Sequence, residues 1–413
     1  MKSKPRILFL VTEDWYFLSH RLPLARAARD AGAEVLVATR YSAHQEEIAA
    51  EGFKTIALAW ERGSHNPFKE AFSVLRLAML YYQWRPDIVH HVAMKPILLG
   101  SLAARIVGWL GIKPHIVNAV TGLGYFFIGP SISLSGDSSS LEDSFKSNFH
   151  SSSPQNYDTA LRSIVHAALR LVLNGRRTTV IIQNKDDGET LRRHHLLNNP
   201  QVELIRGSGV DVKAFPQLPP PKGPLIAALV ARMLSDKGIR ETVEAAWHLK
   251  RQGIDLKLWL VGPTDPANPA AISQEKLQEW DAEGVVKWVG PRKDIAAIWA
   301  EAAIAVLPSY REGLPKALLE AASCGRPLVA TDAPGCREIC RDQETGLSVP
   351  VGDAKALAQA LATLAKDQDL RLRLGAAARR VVEQEFSTEK VVQQTLALYQ
   401  ELLPGRFEEG PRR

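Results

Sequence analysis

The chain has 413 residues, enough for two domains of about 200 residues each, and its 46% hydrophobic and 23% charged content is typical of a globular protein. The formal net charge of +6 suits phosphate ligands or an anionic membrane surface at least as well as nucleic acid. Three cysteines exclude a disulfide framework, and no cluster of histidines and cysteines completes a metal-ligand set. The N-terminus has no signal-peptide pattern and no apolar run is long enough to span a bilayer, so the sequence predicts a cytoplasmic protein.

The first half of the chain alternates short apolar runs with amphipathic helical patterns. Six runs are predicted as strands, at residues 7–11, 34–38, 54–57, 87–90, 115–119 and 179–183. Strand, helix and strand at this spacing form βαβ units, so the predicted fold class is α/β with a parallel sheet. Residues 12–21, predicted as the loop after the first strand, contain no glycine. Because dinucleotide-binding folds carry G-x-G-x-x-G at that point, the loop argues against a nicotinamide or flavin cofactor.

Residues 130–158 differ in composition from the rest of the first half. They are rich in serine and hold few apolar side chains to bury. Burial of so little apolar surface does not offset the entropy lost on ordering, so the sequence predicts a mobile insertion there.

A basic amphipathic helix is predicted after this insertion, within residues 160–177. Its cations are Arg162, Arg170, Arg176 and Arg177, and apolar residues line the opposite side. A helix of this kind can lie on a membrane surface, although most amphipathic helices pack on their own sheet. The pattern fits both.

A second series of strands and helices follows a linker rich in glycine and proline. Its predicted strands lie at residues 226–230, 257–261, 285–289, 303–307 and 327–330. We therefore expect an N-terminal Rossmann-like domain at 1–205 and a C-terminal one at 206–385. The last segment, 386–413, is expected to contain a helix that packs back on the first domain, followed by a tail.

Residues 303–325 combine a buried strand, a short loop and the start of a helix. Glu312, Gly313 and Leu314 lie in the loop, and Pro315 begins the helix that contains Glu320. Unpaired backbone N–H groups and the positive end of the helix dipole converge there, which makes a candidate anion site. The two glutamates are separated by up to about 12 Å, a span that suits a sugar at one end and a ribose at the other. The alternative is an ordinary strand-loop-helix unit whose two glutamates are solvated and bind nothing.

Two cations follow the first strand of the second half, at Arg232 and Lys237. Ligands of doubly wound sheets bind at the carboxyl ends of the strands, where both this loop and the loop of Glu312 lie. Arginine offers a planar fork and lysine a point charge to phosphate oxygens. Either cation alone would indicate only a solvated loop, but together with the anion site they predict a diphosphate site.

These second-half motifs resemble those of a known family. Arg232…Lys237-Gly238, the loop 290–294 with Arg292, and P-S-Y-R-E-G-L-P-K-A-L-L-E-A at 308–321 are similar to motifs of the family 4 retaining glycosyltransferases. That family has the GT-B fold, in which two Rossmann-like domains face a central cleft. Glu312 and Glu320 match its E-x7-E motif. The similarity extends from residue 7 to residue 403 apart from the insertion, and it is more specific in the second half.

The resemblance implies roles for the matching residues. Glu312 would face the donor sugar, Glu320 would hold the ribose, and the two cations would neutralise the diphosphate leaving group, so that Glu312, Arg232 and Lys237 are the expected catalytic residues. The implied donor site comprises Arg232, Lys237, Arg292, Glu312, Gly313, Leu314, Pro315 and Glu320. Enzymes of this fold usually need no metal, so we expect no cofactor besides the nucleotide sugar.

The motifs of the first half bear on the acceptor. S-H-N-P-F at 64–68 and the loop 121–126 look most like those of bacterial enzymes that extend polyprenyl-diphosphate-linked sugars. Side chains at predicted strand ends are the candidates for acceptor contact, namely His20, Arg21, His91 and Lys95. Relatives often have glycines in the first loop, where this chain has Trp15-Tyr16-Phe17.

The resemblance implies an enzyme that moves a hexose or N-acetylhexosamine from a nucleotide sugar, expected to be UDP-linked, to a lipid-linked sugar during surface glycan assembly. Such a protein would sit peripherally at the inner face of the cytoplasmic membrane and bind no nucleic acid. Two alternatives are a nucleotide-sugar 2-epimerase of the same fold and a non-catalytic sugar-nucleotide-binding protein.

Overall fold

The computed structural model of the chain describes residues 3–60, 67–123, 159–198, 201–266 and 268–407. The predicted insertion at 130–158 lies outside these ranges, as do residues 64–66 of the S-H-N-P-F motif and most of the loop at 121–126.

The first domain is built on a parallel sheet of seven strands in the order β3-β2-β1-β4-β5-β6-β7. Its strands are β1 (Arg6–Glu13), β2 (Glu34–Arg40), β3 (Lys54–Ala57), β4 (Ile88–Val92), β5 (His115–Val120), β6 (Thr178–Ile182) and β7 (Val202–Leu204). Its helices are α1 (Asp14–His20), α2 (Leu22–Asp30), α3 (Gln45–Ala50), α4 (Pro67–Trp84), α5 (Met94–Trp109), α6 (Thr159–Leu173) and α7 (Lys185–Arg193). The six predicted strands are confirmed, and the short edge strand β7 is an addition.

The prediction of a loop at 12–21 is wrong, because α1 occupies most of it. The Asp14 carboxylate accepts hydrogen bonds from the backbone N–H groups of Ser42, Ala43 and His44, which ties the helix start to the loop after β2. Phe17 is fully buried and holds the helix against the core. An aspartate in the first turn favours a helix start, so the signal was present in the sequence.

Helix α6 is the basic helix predicted within 160–177. Its side chains Leu169, Val172 and Leu173 are buried in the core of the first domain. Of the two alternatives that the sequence left open, packing on the sheet is therefore the one that the described part of this helix adopts.

The second domain is built on a parallel sheet of six strands in the order β10-β9-β8-β11-β12-β13. Its strands are β8 (Ile226–Val230), β9 (Lys257–Val261), β10 (Lys287–Gly290), β11 (Ile304–Leu307), β12 (Leu328–Thr331) and β13 (Gly346–Val349). Its helices are α8 (Ile239–Arg251), α9 (Gln274–Ala282), α10 (Ile295–Glu301), α11 (Lys316–Ser323), α12 (Cys336–Ile339), α13 (Ala354–Lys366) and α14 (Gln368–Val381). Two parallel sheets covered by helices confirm the predicted α/β class.

The chain then returns to the first domain. A π-helical turn (Val382–Phe386) links α14 to the last helix, α15 (Thr388–Leu402). Helix α15 packs on α2, and its side chains Leu398 and Tyr399 join the core of the first domain. Within the described ranges, no helix is both long enough and apolar enough to cross a membrane.

Candidate active site

The loop that carries Glu312 follows β11 at the carboxyl edge of the second sheet, and two neighbouring loops hold it in place. The N–H of Tyr310 donates to the Asp236 carbonyl oxygen (2.9 Å), and the N–H of Glu312 donates to the Pro334 carbonyl oxygen (3.0 Å). The hydroxyl of Ser309 also donates to the Asp236 carbonyl oxygen (3.0 Å). The backbone of this loop is therefore fixed before any ligand arrives.

Backbone donors remain available in the same loop. Among the residues that the structure describes, the N–H groups of Gly313 and Leu314 find no hydrogen-bond acceptor. They lie just before Pro315 and the first turn of α11. Two adjacent N–H donors at the positive end of a helix form a site for an anion.

Two ion pairs hold the predicted cations of the donor site. The Lys237 ammonium lies 2.6 Å from Glu312 Oε1, and the Arg232 guanidinium lies 2.6 Å from Asp265 Oδ2. Burial acts to lower the pKa of Lys237, but the carboxylates of Glu312 and Asp236 outweigh it, and the pKa is raised. Lys237 is therefore a permanent cation at the candidate anion site.

Glu320 in α11 is almost completely buried. Burial raises the pKa of its carboxyl group to about 7, an effect that Lys316 offsets in part at 3.7 Å. The Lys316 ammonium also donates to the carbonyl oxygen of Ser19 in α1 (3.1 Å), so this turn of α11 faces the first domain.

The structure does not join Arg292 to the rest of the predicted donor site. Its guanidinium pairs with Asp294 two residues further on, in an exposed position after β10. Among the described residues it forms no ion pair with Glu312 or Glu320, the two carboxylates of the predicted site.

Two of the four predicted acceptor residues are placed in the core. His91 is fully buried and its ring bonds to the hydroxyl of Tyr81 (3.0 Å) and to Asn118 Oδ1 (2.8 Å). Arg21 is also buried, with its guanidinium 3.4 Å from the Gly207 carbonyl oxygen in the linker. Burial leaves these two predicted acceptor candidates almost no exposed surface in this structure, and the His91 ring is already bonded within the protein.

The other two candidates remain partly accessible. His20 stacks on the ring of Tyr16, and burial together with the cations Lys316 and Arg21 lowers the pKa of its imidazole to about 3. It is therefore neutral at physiological pH. Lys95, in the first turn of α5, lies 2.8 Å from Glu70 and keeps 22% of its side chain exposed.

The two domains meet at the Glu312 loop. Asn184 Nδ2 donates to the Gly313 carbonyl oxygen (2.7 Å), and Arg311 forms an ion pair with the fully buried Asp187. A Cβ on Gly313 would lie 2.4 Å from the Thr121 carbonyl oxygen, so only glycine fits this contact. The donor loop is thus pressed against the first domain.

Sequence reasoning missed Asp265, Asn184 and Asp187. Asp265 lies in the loop after β9, which neighbours β8, so its position at a carboxyl strand end was a usable signal. Asn184 and Asp187 act across more than a hundred residues of sequence, and no local pattern reveals such a contact. In the described ranges, no group of three or more His, Cys, Asp or Glu side chains could hold a metal ion.

The chain is similar to known glycosyltransferases. A family model described as "Glycosyl transferases group 1" matches residues 224–367, and one described as "Glycosyl transferase 4-like" matches residues 6–184. The chain is 28% identical over 409 residues to the N,N'-diacetylbacillosaminyl-diphospho-undecaprenol alpha-1,3-N-acetylgalactosaminyltransferase of Campylobacter jejuni, covering 94% of this chain and 98% of that protein. It is 22% identical over 344 residues to the capsular polysaccharide biosynthesis glycosyltransferase CapM of Staphylococcus aureus, covering 81% and 82% of the two chains.

Solved structures show the same fold. A glycosyltransferase from Rickettsia africae superposes with a TM-score of 0.70 at 20% identity, covering 98% of this chain and 100% of that one. The Anabaena protein HepE in complex with UDP and glucose superposes with a TM-score of 0.71 at 16% identity, covering 95% and 99%.

The two Rossmann-like domains have the GT-B fold, which these solved structures share. Two glycosyltransferase family models, one described as group 1 and the other as 4-like, together match most of the chain, which is therefore a glycosyltransferase.

Proposed function

We propose that this enzyme transfers a hexose or N-acetylhexosamine from a UDP sugar, with retention at the anomeric carbon, to a polyprenyl-diphosphate-linked sugar. The observation that carries the proposal is the pairing of Lys237 with Glu312 beside two unpartnered backbone donors. The Campylobacter relative acts on an undecaprenol-diphosphate-linked sugar by its name, and HepE binds UDP. Both support the choice of acceptor and donor.

The donor diphosphate is bound by the two cations and the backbone N–H groups acting together. In the structure Arg232 and Lys237 are each neutralised by a carboxylate, so their positive charge alone does not bind an anion strongly. The N–H groups of Gly313 and Leu314 supply the extra positive potential. As the bond to the sugar breaks, negative charge grows on the diphosphate, and these fixed donors stabilise it without having to reorganise.

The two glutamates bind different parts of the donor, the sugar and the ribose. Glu312, held by Lys237, faces the sugar, and Glu320, buried one helical turn beyond the loop, accepts from the ribose hydroxyls. Lys237 contacts Glu312 directly and therefore positions its carboxylate at the sugar. The same ammonium group also binds the phosphate. No metal takes part in this proposal.

The acceptor enters from the first domain. Lys95 is a candidate for its diphosphate, and neutral His20 for a hydrogen bond to its sugar. A polyprenyl chain remains in the bilayer, so the enzyme works peripherally at the inner face of the cytoplasmic membrane. An epimerase or a non-catalytic binder is less well supported, because the relatives named above are transferases.

The test is a transfer assay with purified protein, a panel of nucleotide sugars and a polyprenyl-diphosphate-linked sugar. We expect radiolabel from a UDP sugar to appear in the organic phase. Glu312→Gln should abolish transfer and leave UDP binding nearly intact, whereas the exposed control Glu301→Gln should behave like the wild type. Full turnover by Glu312→Gln would remove this residue from the mechanism, and label confined to a water-soluble product would exclude the lipid acceptor.

A further inference from the structure

Helix α4 carries an apolar stripe on its solvent side. Phe72, Leu75, Met79 and Tyr82 have 61%, 60%, 57% and 45% of their surface exposed, and Phe68 at the start of the helix has 85% exposed. At 100° per residue these five side chains fall within an arc of about 80°, and they extend about 21 Å along the helix. Scattered exposed apolar residues are ordinary, but a contiguous row of this size marks an interaction surface.

The stripe is not the face through which α4 packs in the first domain. Helix α4 has a second apolar face, on which Val74, Leu77, Ala78 and Tyr81 are buried against the sheet and α5. The helix therefore already has the packing that stabilises it in the domain. The exposed row takes no part in that packing against the sheet and α5.

The charges beside the stripe have one sign. The exposed charged side chains of α4 are Lys69 and Arg76, which lie on the same flank of the row. The only carboxylate of the helix, Glu70, is turned inward to Lys95. An apolar row with cations along its edge matches a bilayer surface with anionic headgroups. A second copy of the chain fits less well, because a two-fold contact through this row would bring the same cations together.

The position of the stripe relative to the active site is also informative. Glu70, in the first turn of α4, pairs with Lys95, in the first turn of α5. Both helices begin at the carboxyl edge of the sheet, which faces the cleft. The row of apolar side chains therefore starts beside the proposed acceptor entrance. Trp109, at the far end of α5 on the same face of the sheet, is 88% exposed.

We propose that the solvent face of α4, formed by Phe68, Phe72, Leu75, Met79 and Tyr82 with Lys69 and Arg76, is the surface through which this enzyme docks on an anionic bilayer. The inference rests on the proposed lipid-linked acceptor for its purpose, but the docking itself can be measured without any acceptor. In this proposal the solvent face of α4, and not α6, is the element that faces the membrane.

A labelling experiment tests the placement directly. The three native cysteines, Cys324, Cys336 and Cys340, are all buried, so an introduced surface cysteine can be labelled selectively. Leu75→Cys on α4 and Leu171→Cys on α6 form a matched pair, since both leucines are partly exposed. Each variant is labelled with a polarity-sensitive fluorophore and mixed with phosphatidylethanolamine–phosphatidylglycerol vesicles that contain brominated lipid. We expect a blue shift and quenching at position 75 and no change at position 171.

Vesicle cosedimentation gives the energetic test. Phe72→Gln combined with Leu75→Gln should weaken binding at least about tenfold, because both changes remove apolar surface from the bilayer. Lys69→Gln combined with Arg76→Gln should weaken binding to anionic vesicles and leave binding to phosphatidylcholine vesicles unchanged. Circular dichroism should show intact folding, since all four side chains face solvent.

The outcomes separate this proposal from the proposed function. Quenching at 171 and not at 75, or wild-type vesicle binding by both double variants, would overturn the docking surface. A wild-type dimer that the Phe72/Leu75 variant converts to a monomer, with vesicle binding retained, would assign the face to a second copy and overturn the proposal too. Vesicle binding through α4 without transfer to any polyprenyl-linked sugar would instead contradict the proposed acceptor. The Phe72/Leu75 variant should still transfer to a short-chain, water-soluble acceptor analogue.

Discussion

Replacement of Glu320 by glutamine should stabilise the protein at high pH while it weakens the nucleotide site. The Glu320 side chain is 10% exposed, and the cation paired with it, the Lys316 ammonium, is 3.7 Å away and also bonds to Ser19. Burial raises the pKa of the carboxyl group to about 7 from an ordinary value of 4.5. A buried, poorly paired carboxylate costs stability, and a functional site is where such a cost is expected.

The sign and size of the effect follow from proton linkage. Because the folded protein holds this proton more tightly than the unfolded chain, ionisation of Glu320 lowers the free energy of unfolding as the pH rises from 4.5 through 7. The cost reaches about 3 kcal/mol well above pH 7 and is about 1 kcal/mol near pH 5. Glutamine has no charge to bury, so Glu320→Gln should raise the free energy of unfolding by the cost of ionisation at each pH.

Urea unfolding of wild type and variant at about pH 5 and about pH 8.5 measures this difference. The stabilisation by Glu320→Gln should be larger at the higher pH by about 2 kcal/mol. The exposed control Glu301→Gln should show no such pH dependence. In calorimetry at the higher pH, Glu320→Gln should bind UDP about tenfold more weakly, because an ionised acceptor for the ribose hydroxyls is lost. A variant no more stable than wild type at the higher pH would refute the burial argument, and unchanged UDP affinity would place the ribose elsewhere.

Three further predictions concern the donor site. Lys237→Ala and Arg232→Ala should each weaken UDP binding about tenfold in calorimetry, because each removes a cation from the diphosphate. Unchanged UDP affinity in both variants would locate the diphosphate elsewhere. Gly313→Ala should lower the transfer rate at least about tenfold in steady-state assays with UDP affinity nearly unchanged, since the new methyl group would clash with Thr121 in the first domain while the backbone N–H remains. A normal rate in that variant would show that the domains need not meet there. Addition of EDTA should leave the transfer rate unchanged, and strict dependence on added Mn²⁺ would contradict a metal-free mechanism.

The sequence by itself determined the architecture, and it predicted that several donor-side residues lie close together, as Lys237 and Glu312 do. The alternation of strands and helices depends on short-range patterns, and the predicted α/β class with two parallel sheets is what the structure has. Glu312, Gly313, Leu314 and Pro315 are contiguous, and Arg232 and Lys237 share one short loop, so their grouping follows once the strand ends are known. Chemistry that lies within a single loop can be recognised before folding.

The tertiary structure decided everything that depends on which surfaces meet. His91 and Lys95 are four residues apart, yet one is fully buried between Tyr81 and Asn118 while the other keeps part of its side chain in solvent. Helix α4 is apolar on two sides, and its pattern does not reveal which side packs on the sheet and which faces outward. The contact of Asn184 with Gly313 joins residues 129 positions apart. Burial and long-range contact are properties of how elements pack on one another, and a local pattern carries no information about a partner that only the fold brings near.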